Sequence, residues 1–127
     1  MNHKKFLEIG KMIAKTGNGV GSKNNFRLSA ILVKKNRMRE AAVNSRKTHP
    51  LLSNFYSFPF LHAESSVIIK HGISNCEGYI LYVIRILKNN NLALAKPCFA
   101  CQKLIQSVGI KRVYYSINND EYNLLKY

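Results

Sequence analysis

Acidic side chains are scarce. The 127 residues hold six aspartates and glutamates against 20 lysines and arginines, a formal charge of +14 at pH 7. A codon bias toward lysine and asparagine would add cations but would not remove acids. A field this positive attracts polyanions and speeds their encounter, so nucleic acid or a phosphorylated small molecule is the expected partner class. Long apolar runs are also missing: nothing approaches the ~20 residues that span a bilayer, which excludes a membrane-spanning helix. Only three cysteines are present. That odd number makes a poor disulfide framework, and two of the three form a C-x-x-C pair suited to metal or redox chemistry in a reducing compartment. The segment after Met1-Asn2-His3-Lys4-Lys5 is mixed and polar and has no small-residue cleavage site, so an intracellular location is expected. No internal repeat or low-complexity segment occurs. The length fits a single domain over residues 1–127.

What remains is an ordinary apolar fraction, 46%, with a readable rhythm. Phe6, Ile9 and Ile13, with Leu7, Met12 and Ala14, recur at helical spacing until Thr16-Gly17-Asn18-Gly19. Leu28 to Val33 has strand character, and Lys34-Lys35-Asn36-Arg37 separates it from Met38 to Val43, which predicts a hairpin. From Asn44 to Leu61 no period survives; Pro50 and Pro59 punctuate a stretch holding Phe55, Tyr56, Phe58 and Phe60, and a loop of this length is usually functional or mobile. Ala63, Val67, Ile68 and His71 share a helical face that ends at Gly72. Tyr79 to Leu87 reads as a buried strand. Cys101, Leu104, Ile105 and Val108 mark a helix closed by Gly109. Val113 to Ile117 is another strand, and Tyr122 and Leu124 alternate with polar neighbours as a short final one. Cys76 falls in a turn-like segment as an ordinary free thiol. Such interleaving implies an α/β sandwich around a mixed sheet of four or five strands.

The chemistry is concentrated in His62-Ala63-Glu64 and Pro97-Cys98-Phe99-Ala100-Cys101. Zinc takes tetrahedral nitrogen and sulfur ligands, and a catalytic site supplies three while leaving a position for water. His62, Cys98 and Cys101 are such a set. Cysteines three apart at a helix start direct both sulfurs toward one point, and Pro97 suits a helix entrance because its missing N–H would have no partner there. The positive helix end favours thiolates. His62 also begins a helix, so two helix N-termini converge. Zinc lowers the pKa of bound water from about 15.7 to roughly 7. Glu64 is then placed to take the water proton, pass it to a ring nitrogen and protonate the departing amine. A lone C-x-x-C is as often a knuckle or a redox pair, and a lone H-x-E says almost nothing. Together and in this order they form the zinc-deaminase pattern. A structural zinc would need a fourth ligand, for which only His49 and His71 are candidates.

These motifs resemble those of the cytidine deaminase-like superfamily, which includes deoxycytidylate deaminases, tRNA adenosine deaminases and polynucleotide cytosine deaminases. The likeness covers most of the chain. Leu28 to Asn44 looks like the family's first hairpin, and Leu104 to Val113 is similar to the segment after the cysteines in deoxycytidylate deaminases. The resemblance implies a three-layer α/β/α sandwich, Zn2+ on His62, Cys98 and Cys101, proton transfer by Glu64, and substrate contacts from Asn44 near the sugar and from Ala63. Small relatives complete their pockets across a subunit interface, so a homo-oligomer is compatible with it. The sequence departs from the family at Val67, commonly alanine, and at Lys96, where many relatives have glutamate, serine or threonine. Only ten residues follow Ile117, fewer than the crossover of about a dozen that a further parallel strand requires. Either the last strand is absent or, as expected here, it returns as a C-terminal β-hairpin, as in the nucleoside and toxin-type branch.

Two substrate classes lead, ahead of nucleoside, adenine or other amidine substrates. Cytosine in single-stranded DNA or RNA is favoured by the charge, by Arg46 and Lys47 beside the expected pocket, and by the loop aromatics if they stack on bases rather than fill the core. Free (deoxy)cytidine monophosphate is favoured by the segment after the cysteines, with Arg46, Lys47 or Lys96 pairing with one phosphate. The overall charge tilts the reading toward polynucleotide. A zinc-bearing binding module without catalysis would leave Glu64 without a purpose.

Overall fold

The computed structural model describes residues 3–17, 27–44 and 62–127. Their element order is α1 (His3–Ala14), β1 (Arg27–Lys34), β2 (Arg37–Val43), α2 (Ala63–His71), a 3-10 turn (Ile73–Asn75), β3 (Ile80–Ile86), β4 (Leu92–Ala93), α3 (Phe99–Ser107), β5 (Arg112–Ser116) and β6 (Tyr122–Lys126). The sheet runs β2-β1-β3-β5-β6, with the two-residue β4 added to β3. Among the described residues only β3 and β5 pair in parallel, and every other pairing is antiparallel. Parallel neighbours need a crossover, and the segment carrying α3 supplies it.

The β1–β2 turn places both Lys35 and Asn36 in the left-handed region, at φ 53° and 61°. That is the pairing a two-residue hairpin turn needs to match strand twist. Asparagine tolerates it well; lysine does not advertise it, which is why the turn's form is hard to read from the sequence.

Each face of the sheet carries its own core. On one, Phe6, Leu7 and Ala14 of α1 pack on Ile31, Val33, Tyr82, Ile84 and Ile86. Gly10 allows this close approach, since a Cβ there would stand 2.1 Å from Ile84 Cδ1, and Ser29 Oγ donates to the Gly10 carbonyl at 2.7 Å. Tyr82 is fully buried, and its hydroxyl is satisfied by His3 Nδ1 at 2.5 Å. On the other face, Ala63, Val67 and Ile68 of α2 join Cys101, Leu104 and Ile105 of α3 over Leu32, Leu81, Val83 and Val113. The result is the expected three-layer sandwich, with α1 on one side and α2 and α3 together on the other.

The final strand is present as a hairpin: β6 pairs antiparallel with β5 from Ser116↔Tyr122 to Arg112↔Lys126. The unexpected strand β4 is held by Asn119 Oδ1, which accepts from Leu92 N at 2.7 Å. Cys76 is a free cysteine, fully buried, with its thiol donating to the Gly72 carbonyl. No helix among the described residues is long and apolar enough to cross a membrane.

Candidate active site

Because α2 and α3 lie on the same face, their N-termini meet. His62 is the N-cap of α2 and Cys98 the N-cap of α3, with Cys101 one turn further on. Cys98 Sγ accepts the Cys101 backbone N–H at 3.4 Å, so the cysteine performs the capping that serine or aspartate usually does. Pro97 therefore stands immediately before the cap, at the helix entrance, where it has no N–H to offer. Its carbonyl instead accepts from Gln102 Nε2 at 2.9 Å.

His62 Nδ1 lies 3.6 Å from Cys98 Sγ and 3.3 Å from Cys101 Sγ. The three ligand atoms all fall within 4.8 Å of one another. Nitrogen and sulfur ligands of a tetrahedral zinc, at about 2.1 and 2.3 Å from the ion, stand about 3.6 Å apart, so both the donor types and their spacing fit the metal. His71 does not join them. It sits at the opposite end of α2, with Nδ1 3.6 Å from Glu40 Oε1 and Nε2 3.0 Å from Tyr79 Oη. His49 lies outside the described residues. Among the described residues the set is three-membered, which suits a catalytic centre better than a structural one.

The electrostatics point the same way. A hydrogen bond from Cys101 is the main influence on the Cys98 thiol; with further help from His62 and the Cys101 N–H it overcomes the opposing effect of burial and brings the pKa down to about 4. The site thus stabilises a thiolate, the form that binds metal. For His62 burial acts downward, but the hydrogen bond with Cys98 and the charges of Glu64 and Cys98 outweigh it and raise the pKa.

Glu64, the second residue of α2, is only 3% exposed. Burial pushes its carboxyl above the usual range, with Cys98 acting in the same sense; its own backbone N–H, the His62 charge and a Cys101 hydrogen bond oppose the shift. Ala63 is buried beside it. Asn44, just past β2, is also buried. Its Oδ1 accepts from Leu28 N at 3.1 Å, and its backbone N donates to the Leu28 carbonyl at 3.2 Å. Lys96 is exposed immediately before Pro97. Arg46, Lys47 and the aromatic loop lie outside the described residues.

Two residues beside the site carry no motif. Gln102 follows the second cysteine, and its Oε1 accepts from Tyr127 Oη at 3.1 Å. Burial, then the charges of Cys101 and Tyr115, push the Tyr127 phenol up to about 12. A glutamine in an amphipathic helix and a tyrosine beyond the last strand give no local signal that they meet.

The family described as "Cytidine and deoxycytidylate deaminase zinc-binding region" matches residues 1–117. Among solved structures, the chain is similar to dCMP deaminase from the cyanophage S-TIM5 in apo form, with a TM-score of 0.64, 22% identity, and coverage of 92% of this chain and 86% of that one. The same enzyme in complex with dCMP and dUMP also gives a TM-score of 0.64 and 22% identity, over 91% of this chain and 82% of that one. RibD of Acinetobacter baumannii matches at a TM-score of 0.53 and 17% identity, over 90% of this chain but 27% of that one. At these identities the likeness shows the shared fold.

Proposed function

From the premise that the chain belongs to the cytidine and deoxycytidylate deaminase zinc-binding family, and so is a zinc-dependent deaminase, we propose that its substrate is free (deoxy)cytidylate, hydrolysed to (deoxy)uridylate by residues 1–127 acting as one domain. The observation that carries this reading is the likeness, over nearly the whole of both chains, to a dCMP deaminase whose structure holds dCMP and dUMP. It shifts the weight away from polynucleotide, which rests on the +14 charge and on loop residues outside the described set.

In this reading His62 Nδ1, Cys98 Sγ and Cys101 Sγ hold the zinc. The ion, when bound, supplies Lewis acidity and makes water acidic enough to be deprotonated near neutral pH. Glu64 does the proton work: its carboxylate takes one proton from the attacking water and delivers it to N3 of the cytosine ring, then takes the second proton from the hydroxyl added at C4 and passes it to the exocyclic amine, which leaves as ammonia as the C4–N4 bond breaks. Burial of Glu64 excludes bulk water from that transfer. Ala63 and Asn44 bound the base and sugar, and Lys96, Arg46 or Lys47 pairs with the single phosphate.

Purified protein incubated separately with dCMP, CMP, deoxycytidine and a cytosine-containing single-stranded oligonucleotide should convert a monophosphate, read as a gain of about one mass unit when oxygen replaces the amine. Because one phosphate engages few counterions, kcat/KM should fall only gently with salt. Turnover of the oligonucleotide alone, with a steep salt dependence, would overturn the proposal in favour of a polynucleotide deaminase.

A further inference from the structure

We propose that Tyr127 and Gln102 are positioning residues, a two-link brace that sets the direction of the Cys98 thiolate toward the metal. The inference rests on the reading of Cys98 and Cys101 as zinc ligands.

The argument begins at Pro97. Its ring fixes φ near −65°, so ψ is the main freedom left between this residue and the next. The Pro97 carbonyl belongs to the planar peptide that joins Pro97 to Cys98. Turning ψ of Pro97 therefore swings that plane, and with it the Cα–Cβ bond of Cys98. The backbone of α3 does not restrain this motion, because the ladder starts one residue later: Gln102 N donates to the Cys98 carbonyl at 2.9 Å. The Pro97 carbonyl is held by the side chain of the same glutamine, through Nε2 at 2.9 Å. Gln102 thus fastens both carbonyls that flank the first ligand, one with its backbone and one with its side chain.

A glutamine amide has two nearly equivalent orientations about its terminal torsion, and only one of them turns the N–H toward Pro97. The Pro97 carbonyl, which can only accept, selects it, and Tyr127 reinforces the choice from the far side: its hydroxyl donates to Gln102 Oε1 at 3.1 Å. Tyr127 is itself held at two points. Its backbone N donates to the Lys111 carbonyl at 2.9 Å, and its ring packs against the core shared by α2 and α3. The segment that closes the final hairpin therefore reaches the active site through hydrogen bonds.

The test is the zinc affinity of Tyr127→Phe, Gln102→Met and the double variant, measured by competition with a chromophoric chelator, together with the visible spectrum of the cobalt-substituted proteins. Tyr127→Phe keeps the ring and its packing while removing one hydroxyl. It should weaken zinc binding about three- to tenfold, less than loss of a group bonded directly to a ligand. Its cobalt bands should shift, which a loss of global stability alone would not cause. Gln102→Met should weaken zinc at least as much, and the double variant no further, because the two residues act in series. Unchanged zinc affinity and cobalt spectrum in Tyr127→Phe would overturn the brace, as would losses that simply add. If Gln102→Met fails to fold, Tyr127→Phe decides alone. A wild-type chain that binds zinc but deaminates no cytidylate would overturn the substrate reading and leave the brace standing.

Discussion

A carboxyl group as buried as Glu64 is costly to keep unless it is paired or has work to do. Here it sits two residues from His62, beside the two thiols, at the head of a helix. Replacing it with glutamine keeps the volume and removes the titrating proton. Glu64→Gln is expected to hold zinc stoichiometrically and lose about 10²- to 10⁴-fold in kcat; metal analysis and single-turnover kinetics on dCMP would check both halves, and turnover near wild type would remove Glu64 from the mechanism. The zinc-type set and its glutamate were legible in the sequence because their spacing is local: H-x-E and P-C-x-x-C each put their groups on one helical turn. Gln102 and Tyr127 were not. Their contact spans 25 residues and depends on where the last hairpin lands, which no short pattern encodes. Pro97 was legible as a helix-entrance signal; that Cys98 caps the helix was not, because a cysteine is rarely the capping residue.

At the scale of elements, α1 shows how a correct period can conceal a constraint. Phe6, Leu7 and Ala14 identify the buried face, yet a glycine in mid-helix looks like a weakness of about 1 kcal/mol relative to alanine. The structure gives Gly10 a reason, since α1 lies so close to β3 that a methyl group would collide with Cδ1 and Cγ1 of Ile84. Gly10→Ala should therefore destabilise the protein despite its better helix propensity. Overpacking of this kind costs about 1–3 kcal/mol, which outweighs the propensity gain over most of that range. Chemical denaturation should show a lower midpoint with an unchanged slope, and a raised midpoint would mean that Ile84 has room to turn aside. The longer strands could be read from apolar runs and the turn residues between them, and the last strand from alternation. The two-residue β4 could not, because it is held by tertiary contacts: pairing with β3, a bond from Leu92 N to Asn119 Oδ1 and one from Ser116 Oγ to the Ala93 carbonyl.

For the whole molecule, the decisive fact is that the candidate ligands are far apart along the chain. Cys98 and Cys101 follow His62 by 36 and 39 residues, with β3 between them. Zinc that binds only the folded arrangement stabilises it by mass action, about 2.7 kcal/mol when free metal is 100 times Kd. Removing it with a chelator should lower the melting temperature by roughly ten degrees, reversibly on adding zinc back. Calorimetry would check this, and an unchanged melting temperature would show that the site is not coupled to the fold. The same separation has a topological consequence. The crossover from β3 to β5 can in principle lay its helix on either side of the sheet, and on the side of α1 the cysteines would be divided from the histidine by a full layer of strands. Only a correctly threaded chain can gather all three ligands, so capture of the metal serves as proofreading of the fold, and a misassembled copy would remain both empty and inert.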